Sequence, residues 1–456
     1  MITYSIIKKS ELEGALRIDA EYYQPEYMEL EQKIKTSHGY RLWRDVEGKF
    51  ITGPFGSEFN VENYISDGEY RYVRGKDVKD FFLENDDNVY IPKKDFNRLK
   101  KYSLNFGDIL VSVVGTLGNT IIIYESNLPA IFSCKSTVFR TKSISPYYFL
   151  AYLNSKYGQS FLQRSVRGAL QTGLNINDLK DLPIFIPSIN IQENIASVIQ
   201  NAKLELENSR SFYIQAEKLL LEEVGVKKDI SNYPIYNIVN FSQIQKAKRM
   251  DAEYFQPGPF KFGELVSITD YKVKPLSEVV ESVSAKFDSK KEPNKNFKYV
   301  ELSNINSSIG VIDGFSEVLG KEAPSRAKRI LKAGDVLVSS VQGSLGKVAL
   351  IEKGQQGHLA STGFFQFRSK EILPEVLLVL AKSTFVQSQL EQRCAGTILT
   401  AVPKESIKDI FIPIVPKPTQ EKIANLIHRS HEARKKSKEL LEEAKRKVEE
   451  LIEKRE

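Results

Sequence analysis

Gly107-Asp-Ile-Leu-Val-Ser112, followed by Gly115-Thr-Leu-Gly118, decides the fold, because the chain writes it twice. The second copies are Gly334-Asp-Val-Leu-Val-Ser339 and Gly343-Ser-Leu-Gly346, displaced by 227 and 228 residues. On the N-terminal side, Arg17-Ile-Asp-Ala-Glu-Tyr-Tyr-Gln-Pro25 returns as Arg249-Met-Asp-Ala-Glu-Tyr-Phe-Gln-Pro257, displaced by 232. On the C-terminal side, Asp181-Leu-Pro-Ile-Phe-Ile-Pro187 matches Asp409-Ile-Phe-Ile-Pro-Ile-Val-Pro416 with one insertion. Gln192-Glu-Asn-Ile-Ala196 then matches Gln420-Glu-Lys-Ile-Ala424. Five blocks in one order, at a step of half the 456 residues, describe one module used twice rather than a many-unit solenoid.

Within each module, runs of β-branched and aromatic residues bounded by Gly, Asn and Pro predict strands. They are Tyr70 to Val73, Asp108 to Val114, Thr120 to Tyr124 and Val138 to Arg140, with Tyr299 to Leu302, Asp335 to Val341, Lys347 to Ile351 and Phe364 to Phe367 in the second copy. Helical patterns at Pro146 to Gln163 and Pro374 to Gln392 make the module mixed, so the fold class is α+β. A long helix closes each module. Ile195, Val198, Ala202, Leu206, Ser209, Phe212, Ala216, Leu219 and Glu223 recur at steps of three or four, as do Ile423, Leu426, Ser430, Ala433, Ser437, Leu440, Ala444, Val448 and Leu451. Both read as narrow coiled-coil seams. The expectation is that they pair antiparallel and relate the modules by a pseudo-twofold axis, rather than each merely capping its own domain. Asn190 with Glu193 offers a capping box for the first helix. The expected boundaries are an arm and domain over 1–187, a central helix over 188–226, a second arm and domain over 227–416, and a terminal helix over 417–456.

Hydrophobic residues make up 41%, enough for real cores. The longest apolar run, Val376 to Ala381, is far short of a membrane span, and the first residues lack the apolar stretch of a secretory signal. Cys134 and Cys394 are the only cysteines, so a disulfide framework is excluded and a reducing cytoplasm is expected.

Signs of chemistry are missing. No G-x-x-x-x-G-K-[ST] loop occurs, and Gln342-Gly-Ser-Leu-Gly-Lys347 has the wrong spacing. No Asn-Pro-Pro-Tyr or Asp-Pro-Pro-Tyr tetrapeptide is present, as an amino-methyltransferase would need. His428 and His431 stand one helical step apart, but without a Cys or carboxylate cluster they are not read as metal ligands. Asp19 with Glu21, and Asp251 with Glu253, could do acid–base work. With no third group travelling alongside, they read better as helix caps or as anchors of an arm. Gly107-Asp108 and Gly334-Asp335 read as tight turns into buried strands. No catalytic residue, metal or cofactor is assigned to this chain.

The net charge of +7, from 65 Lys and Arg against 58 Asp and Glu, is too small to carry an argument by itself. Local clusters carry it instead. Arg71, Arg74, Lys76 and Lys79 lie together, followed by Lys93, Lys94, Arg98, Lys100 and Lys101. The second module has Lys286, Lys290, Lys291, Lys295 and Lys298, then Lys321, Arg326, Lys328, Arg329 and Lys332, with Asn304 and Asn306 among them. Cations neutralise phosphates, and Arg, Asn and Gln can read base edges. The alternative is an ordinary solvated surface. Between the matched blocks the modules diverge: Gly53-Pro-Phe55-Gly-Ser57 has no counterpart near Val283 to Lys291.

These motifs together resemble the specificity subunit of Type I restriction–modification systems, and the related subunits of bipartite Type II systems. The carriers are Gly53 to Ser57, the Gly107 and Gly334 blocks, and the two Gln-Glu-x-Ile-Ala helix entries. The resemblance implies two target-recognition domains on a helical spacer, each binding half of a gapped double-stranded DNA site. It implies methyltransferase subunits docking on the helices and a motor–nuclease subunit in the full complex. S-adenosylmethionine, ATP and magnesium would belong to those partners, and this chain would be a non-catalytic reader. Expected DNA contacts are Gly53, Phe55, Ser57, Arg71, Arg74, Lys76, Lys79, Lys286, Lys290, Lys291, Lys295, Asn304, Asn306 and Arg326. Expected partner contacts are Lys203, Glu207, Arg210, Lys435, Lys438, Glu442 and Lys445. A coiled-coil adaptor that binds no DNA and a self-contained DNA-modifying enzyme are the alternatives.

Overall fold

The computed structural model describes residues 5–10, 12, 17–54, 58–83, 88–168, 172–225, 236–255, 269–396 and 400–454. The chain divides into two compact units. Unit 1 is Met1–Glu205 with Lys435–Glu456, and unit 2 is Leu206–Arg434. Both divisions fall inside the long helices, so each unit owns a half of both.

In unit 1 the strands are β1 (Tyr40–Leu42), β2 (Gly48–Thr52), β3 (Tyr70–Val73), β4 (Tyr90–Ile91), β5 (Ile109–Ser112), β6 (Thr120–Ile122), β7 (Ala130–Phe132), β8 (Ser136–Thr141) and β9 (Pro183–Phe185). They form an antiparallel sheet in the order β2-β8-β5-β6, a second sheet β4-β3-β7, and the pair β1-β9. β5 is buried at every residue, which explains its unbroken Ile-Leu-Val run: both faces are covered, so nothing alternates. Its longer domain helices are α1 (Pro25–Lys35), α2 (Pro146–Asn154) and α3 (Lys156–Arg164). α2 is buried from Tyr148 to Asn154, and it buries two phenols without leaving them unpaired. Tyr148 Oη donates to Phe185 O at 2.6 Å and Tyr152 Oη to Pro183 O at 2.7 Å.

Unit 2 repeats this frame. Its strands are β10 (Val273–Pro275), β11 (Val280–Ser282), β12 (Asn296–Val300), β13 (Ile305–Asn306), β14 (Val311–Ile312), β15 (Ser316–Leu319), β16 (Ala327–Ile330), β17 (Asp335–Ser339), β18 (Val348–Leu350), β19 (Leu359–Ser361), β20 (Phe364–Ser369) and β21 (Phe411–Pro413). The order β11-β20-β17-β18 copies β2-β8-β5-β6, and β15-β12-β19-β16 copies and extends β4-β3-β7. A parallel strand pairing recurs too, β3 with β7 and β12 with β19. Helices α5 (Pro374–Lys382) and α6 (Thr384–Arg393) take the places of α2 and α3.

The long helices are α4 (Ile189–Val224) and α7 (Lys417–Glu453), of 36 and 37 residues. Their entries explain the repeated glutamine. Gln192 accepts from Ser145 N at 3.0 Å and donates to Pro187 O at 2.9 Å, while Gln420 accepts from Leu373 N at 3.0 Å and donates to Val415 O at 2.9 Å. Each side chain thus ties the start of a long helix to the start of a domain helix. The expected capping box at Asn190 is not formed, because Asn190 already lies inside α4.

The halves of α4 and α7 pair within each unit, in opposite senses. In unit 1, Ser437 Oγ donates to Ala202 O at 2.7 Å and Lys436 meets Glu205 at 2.6 Å. In unit 2, Ser430 Oγ donates to Ser209 O at 2.7 Å and Arg429 lies over the Phe212 ring at 4.0 Å. Small side chains let the backbones approach closely enough for hydroxyl-to-carbonyl bonds. The buried stripe is wider than a narrow seam. Tyr213, Leu220, Val224, Ile423 and Ile427 join the core of unit 2 as well. The helices therefore pair and cap their domains at once, which needs a broader apolar face than pairing alone.

Candidate nucleic-acid interface

The most regular side-chain chemistry holds the frame. Gly107 and Gly334 turn at φ +81° and +84°, where glycine carries no steric cost. The next residue is a buried aspartate. Arg140 donates to Asp108 through Nε and Nη2, both at 2.7 Å, and Arg368 to Asp335 through Nε and Nη2 at 2.8 and 2.9 Å. Asp108 also accepts from Asn105 N at 2.8 Å, as expected of the turn. Sequence reasoning missed the two arginines, although they stand 228 residues apart like the blocks around them.

The arms are anchored in the same duplicated way. Arg17 donates to Asp19 and to the carbonyl of Val166 at 3.1 Å; Arg249 donates to Asp251 and to the carbonyl of Cys394 at 2.9 Å. The arm therefore docks where a domain helix ends. The guanidinium hydrogen bond holds both carboxyls below their ordinary values. The aspartates fit the anchoring reading; Glu21 is exposed and the side chain of Glu253 lies outside the described residues.

In unit 1 the expected DNA contacts separate. Lys76 and Lys79 are exposed beyond the end of β3, whereas Arg71 is buried on β3 and Arg74 grips Asp77 at 2.9 Å, closing the turn between them. Gly53 has a packing role: a Cβ there would stand 2.4 Å from the Ser133 carbonyl group. Phe55 and Ser57 lie outside the described residues. The aromatics interleaved with these charges turn inward. Tyr72 stacks on Phe59 at 5.0 Å, and burial raises its phenol well above the ordinary value. Lys93, Lys94 and Lys100 are exposed, and Lys101 meets Glu58 at 3.4 Å.

In unit 2 the structure gathers charges that are far apart in sequence. Lys286, Lys290, Lys291 and Lys295 are exposed on the loop from β11 to β12, with Lys295 held by Glu292 at 2.7 Å. This loop is pinned to β16. Phe287 N donates to Lys328 O at 2.9 Å, and Arg329 Nη1 donates to Val283 O at 3.0 Å. Lys286 is thereby laid against the strand that carries Arg326, just before it, and Lys328. Asn304 and Asn306 are committed to turns: Asn304 accepts from Glu301 N at 2.8 Å, and Asn306 donates to Asp313 at 2.8 Å. Lys298 covers the exposed ring of Phe315 at 4.4 Å. His358, beside that ring, is pushed below its ordinary value by burial and by Lys298.

On the helices, Glu207 and Lys435 are exposed and Arg210 is half-buried. Lys203 turns toward its own unit, over the rings of Tyr124 at 4.9 Å and Phe82 at 5.5 Å. Lys438, Glu442 and Lys445 line an open groove of about 850 Å³ with Lys156 and Glu449, whose carboxylate accepts from Lys156 N at 2.6 Å. His428 and His431 face different partners, Glu375 at 3.1 Å and Ile309 O at 3.2 Å. Among the described residues no helix is long and apolar enough to cross a membrane.

Two separately cored units that share a frame and differ in their basic loops are the build of a tandem recognition protein. A family model described as the Type I restriction modification DNA specificity domain matches residues 55–215 and 268–446. The chain belongs to that family, one match falling on each copy of the repeat. It is 21% identical over 454 residues to the Type I restriction enzyme MjaVIII specificity subunit of Methanocaldococcus jannaschii, covering 92% of this chain and 95% of the relative. It is 23% identical over 176 residues to the HindI specificity subunit of Haemophilus influenzae, a match that takes in 35% of each chain. A solved S subunit of a Type I restriction–modification system from M. genitalium aligns over 91% of this chain and 95% of its own, at 15% identity and a TM-score of 0.43. Membership of the family supports a role in DNA sequence recognition, with DNA and restriction–modification subunits as the partners.

Proposed function

We propose that this chain is the DNA-reading subunit of a restriction–modification complex. Each unit reads one half of a gapped double-stranded site, methyltransferase subunits dock along α4 and α7, and a motor–nuclease subunit joins the full assembly. The reacting groups and their cofactors belong to those partners. The observation that carries this reading is the contrast between frame and loops. Asp108–Arg140 and Asp335–Arg368, the two arm anchors and the two glutamine ties are duplicated, while the loops after β2 and β11 share neither sequence nor charge. A common frame with unlike loops suits two readers of unlike sequences.

The test is selection of bound duplexes from a randomised library by the chain assembled with a methyltransferase subunit. The expected product is two short fixed sequences separated by a constant gap. Enrichment of one continuous motif overturns the two-part reading, and no enrichment at all supports a protein-binding adaptor.

A further inference from the structure

Six buried or half-buried arginines of this chain share one arrangement. Arg17, Arg74, Arg140, Arg164, Arg249 and Arg368 each rest on a carboxylate within 2.9 Å. Arg329 departs from it. It is half-buried on β16, at the edge of its sheet. Among the described residues its hydrogen bonding is the single bond to Val283 O, and its Nε is buried without a partner. Burial pushes its guanidinium below the ordinary value, with no carboxylate to offset the loss of water. Arg393, similarly pushed down by burial, instead donates to the carbonyls of Gln389 and Asp409. A desolvated cation without a counter-charge is unfavourable in a free protein. Such a group is better satisfied by an anion arriving from outside.

The charge is not needed for the local fold. Ile330 pairs with Leu359 as Ser103 pairs with Ile131, so the position matching Arg329 in unit 1 is Tyr102. There a neutral phenol pins the preceding loop, donating to Glu58 at 2.9 Å. Unit 2 does the same task with a guanidinium and leaves its remaining Nη hydrogens uncommitted among the described residues, while the bond from Phe287 N to Lys328 O brings the backbone of the Lys286 loop to the strand of Arg329.

We propose that the Arg329 guanidinium is the phosphate anchor of unit 2, clamping a backbone phosphate of double-stranded DNA with Lys286 and Lys328 alongside. This rests on the DNA-reading function proposed above. Fixing the fork against Val283 O removes much of the side-chain freedom that phosphate binding would otherwise cost. A phosphate rather than a base edge is assigned because the flanking groups are lysines, which act as point charges and position the duplex without reading it.

The test uses the full chain and a mixed-sequence duplex, with affinity measured from 50 to 200 mM salt. Arg329→Gln keeps an amide donor for Val283 O and removes the charge; Arg329→Lys keeps the charge; thermal unfolding shows that both are folded. Arg329→Gln should weaken binding, and its affinity should fall about 3-fold less than wild type across that salt range, the share of one phosphate contact. Arg329→Lys should keep the wild-type salt dependence. On a duplex carrying the selected site, the preference over the mixed sequence should be unchanged in both. An unaltered salt dependence in folded Arg329→Gln overturns the assignment, as does loss of preference confined to one half of the site, which would mark a base reader. If Arg329→Gln does not fold, steep salt dependence must persist in Arg329→Lys and drop in Arg329→Met, or the assignment fails. Absence of salt-dependent duplex binding by the wild type would instead overturn the DNA-reading function itself.

Discussion

Single residues in this chain are most legible where they are duplicated. Asp108 is 1% exposed and its partner Arg140 34% exposed. Asp108→Ala should destabilise unit 1 by roughly 3 kcal/mol, the lower end for breaking a buried ion pair, since the orphaned arginine can still reach water. Asp335→Ala should match it in unit 2. Denaturant unfolding followed by a probe within each unit checks this, and a loss under about 1 kcal/mol would show that the turn holds without the pair. The arm anchors carry a pH dependence. Arg17 and Arg249 hold Asp19 and Asp251 below their ordinary values, so the bonded arm is favoured above the ordinary carboxylate range. That contribution is lost as pH falls through the depressed values. Protection of the amides of residues 17–24 and 249–255 from hydrogen exchange, taken relative to the intrinsic rate at each pH, should therefore fall on acidification and be pH-insensitive in Asp19→Asn and Asp251→Asn. Equal acid sensitivity in the variants would rule out the carboxylates. The sequence pointed to Asp19 and Asp251 because the block around them repeats. It hid the carbonyls near residues 164–166 and 393–394 that accept from Arg17 and Arg249, which no spacing connects to an arm so distant in the chain.

Among the elements, the long helices turn on their small residues. Ser209 and Ser430 are fully buried and bonded to one another's half of the pair. Ser430→Leu should cost about 1–3 kcal/mol through overpacking, and Ser437→Ala only about 1 kcal/mol through a lost hydrogen bond to Ala202. Thermal unfolding of the two variants checks the order, and equal effects would mean that close approach is not what these serines provide. The three-and-four spacing made both helices visible from sequence. Their width was not visible, because residues such as Tyr213, Leu220 and Ile427 are buried in a core that also contains domain residues, and periodicity does not say what covers a face. Strands such as β13 and β14, of two residues each, have no period to detect.

For the molecule as a whole, each unit has buried clusters of its own, so under the proposed function the units should be exchangeable one at a time. Replacing residues 42–182 with the matching stretch of a relative should change one half of the selected DNA site and leave the other half intact. Selection with the chimera and its methyltransferase partner reads this directly. Changes in both halves would show that the units do not read independently.

Sequence alone determined that this chain is one α+β module used twice, closed each time by a long helix, without a nucleotide-hydrolase or amino-methyltransferase motif. Repetition at a constant offset and helical periodicity are properties of the chain itself, so no folding is needed to see them. Tertiary structure decided which charges stand together. Arg71 and Arg74 turn into the frame, Asn304 and Asn306 into turns, and Lys203 onto two rings, while Lys286 is carried to Lys328 and Arg329 across more than forty residues. A charge run in a sequence has no direction until strand register and loop closure give it one, and here the bond from Phe287 N to Lys328 O does so for unit 2.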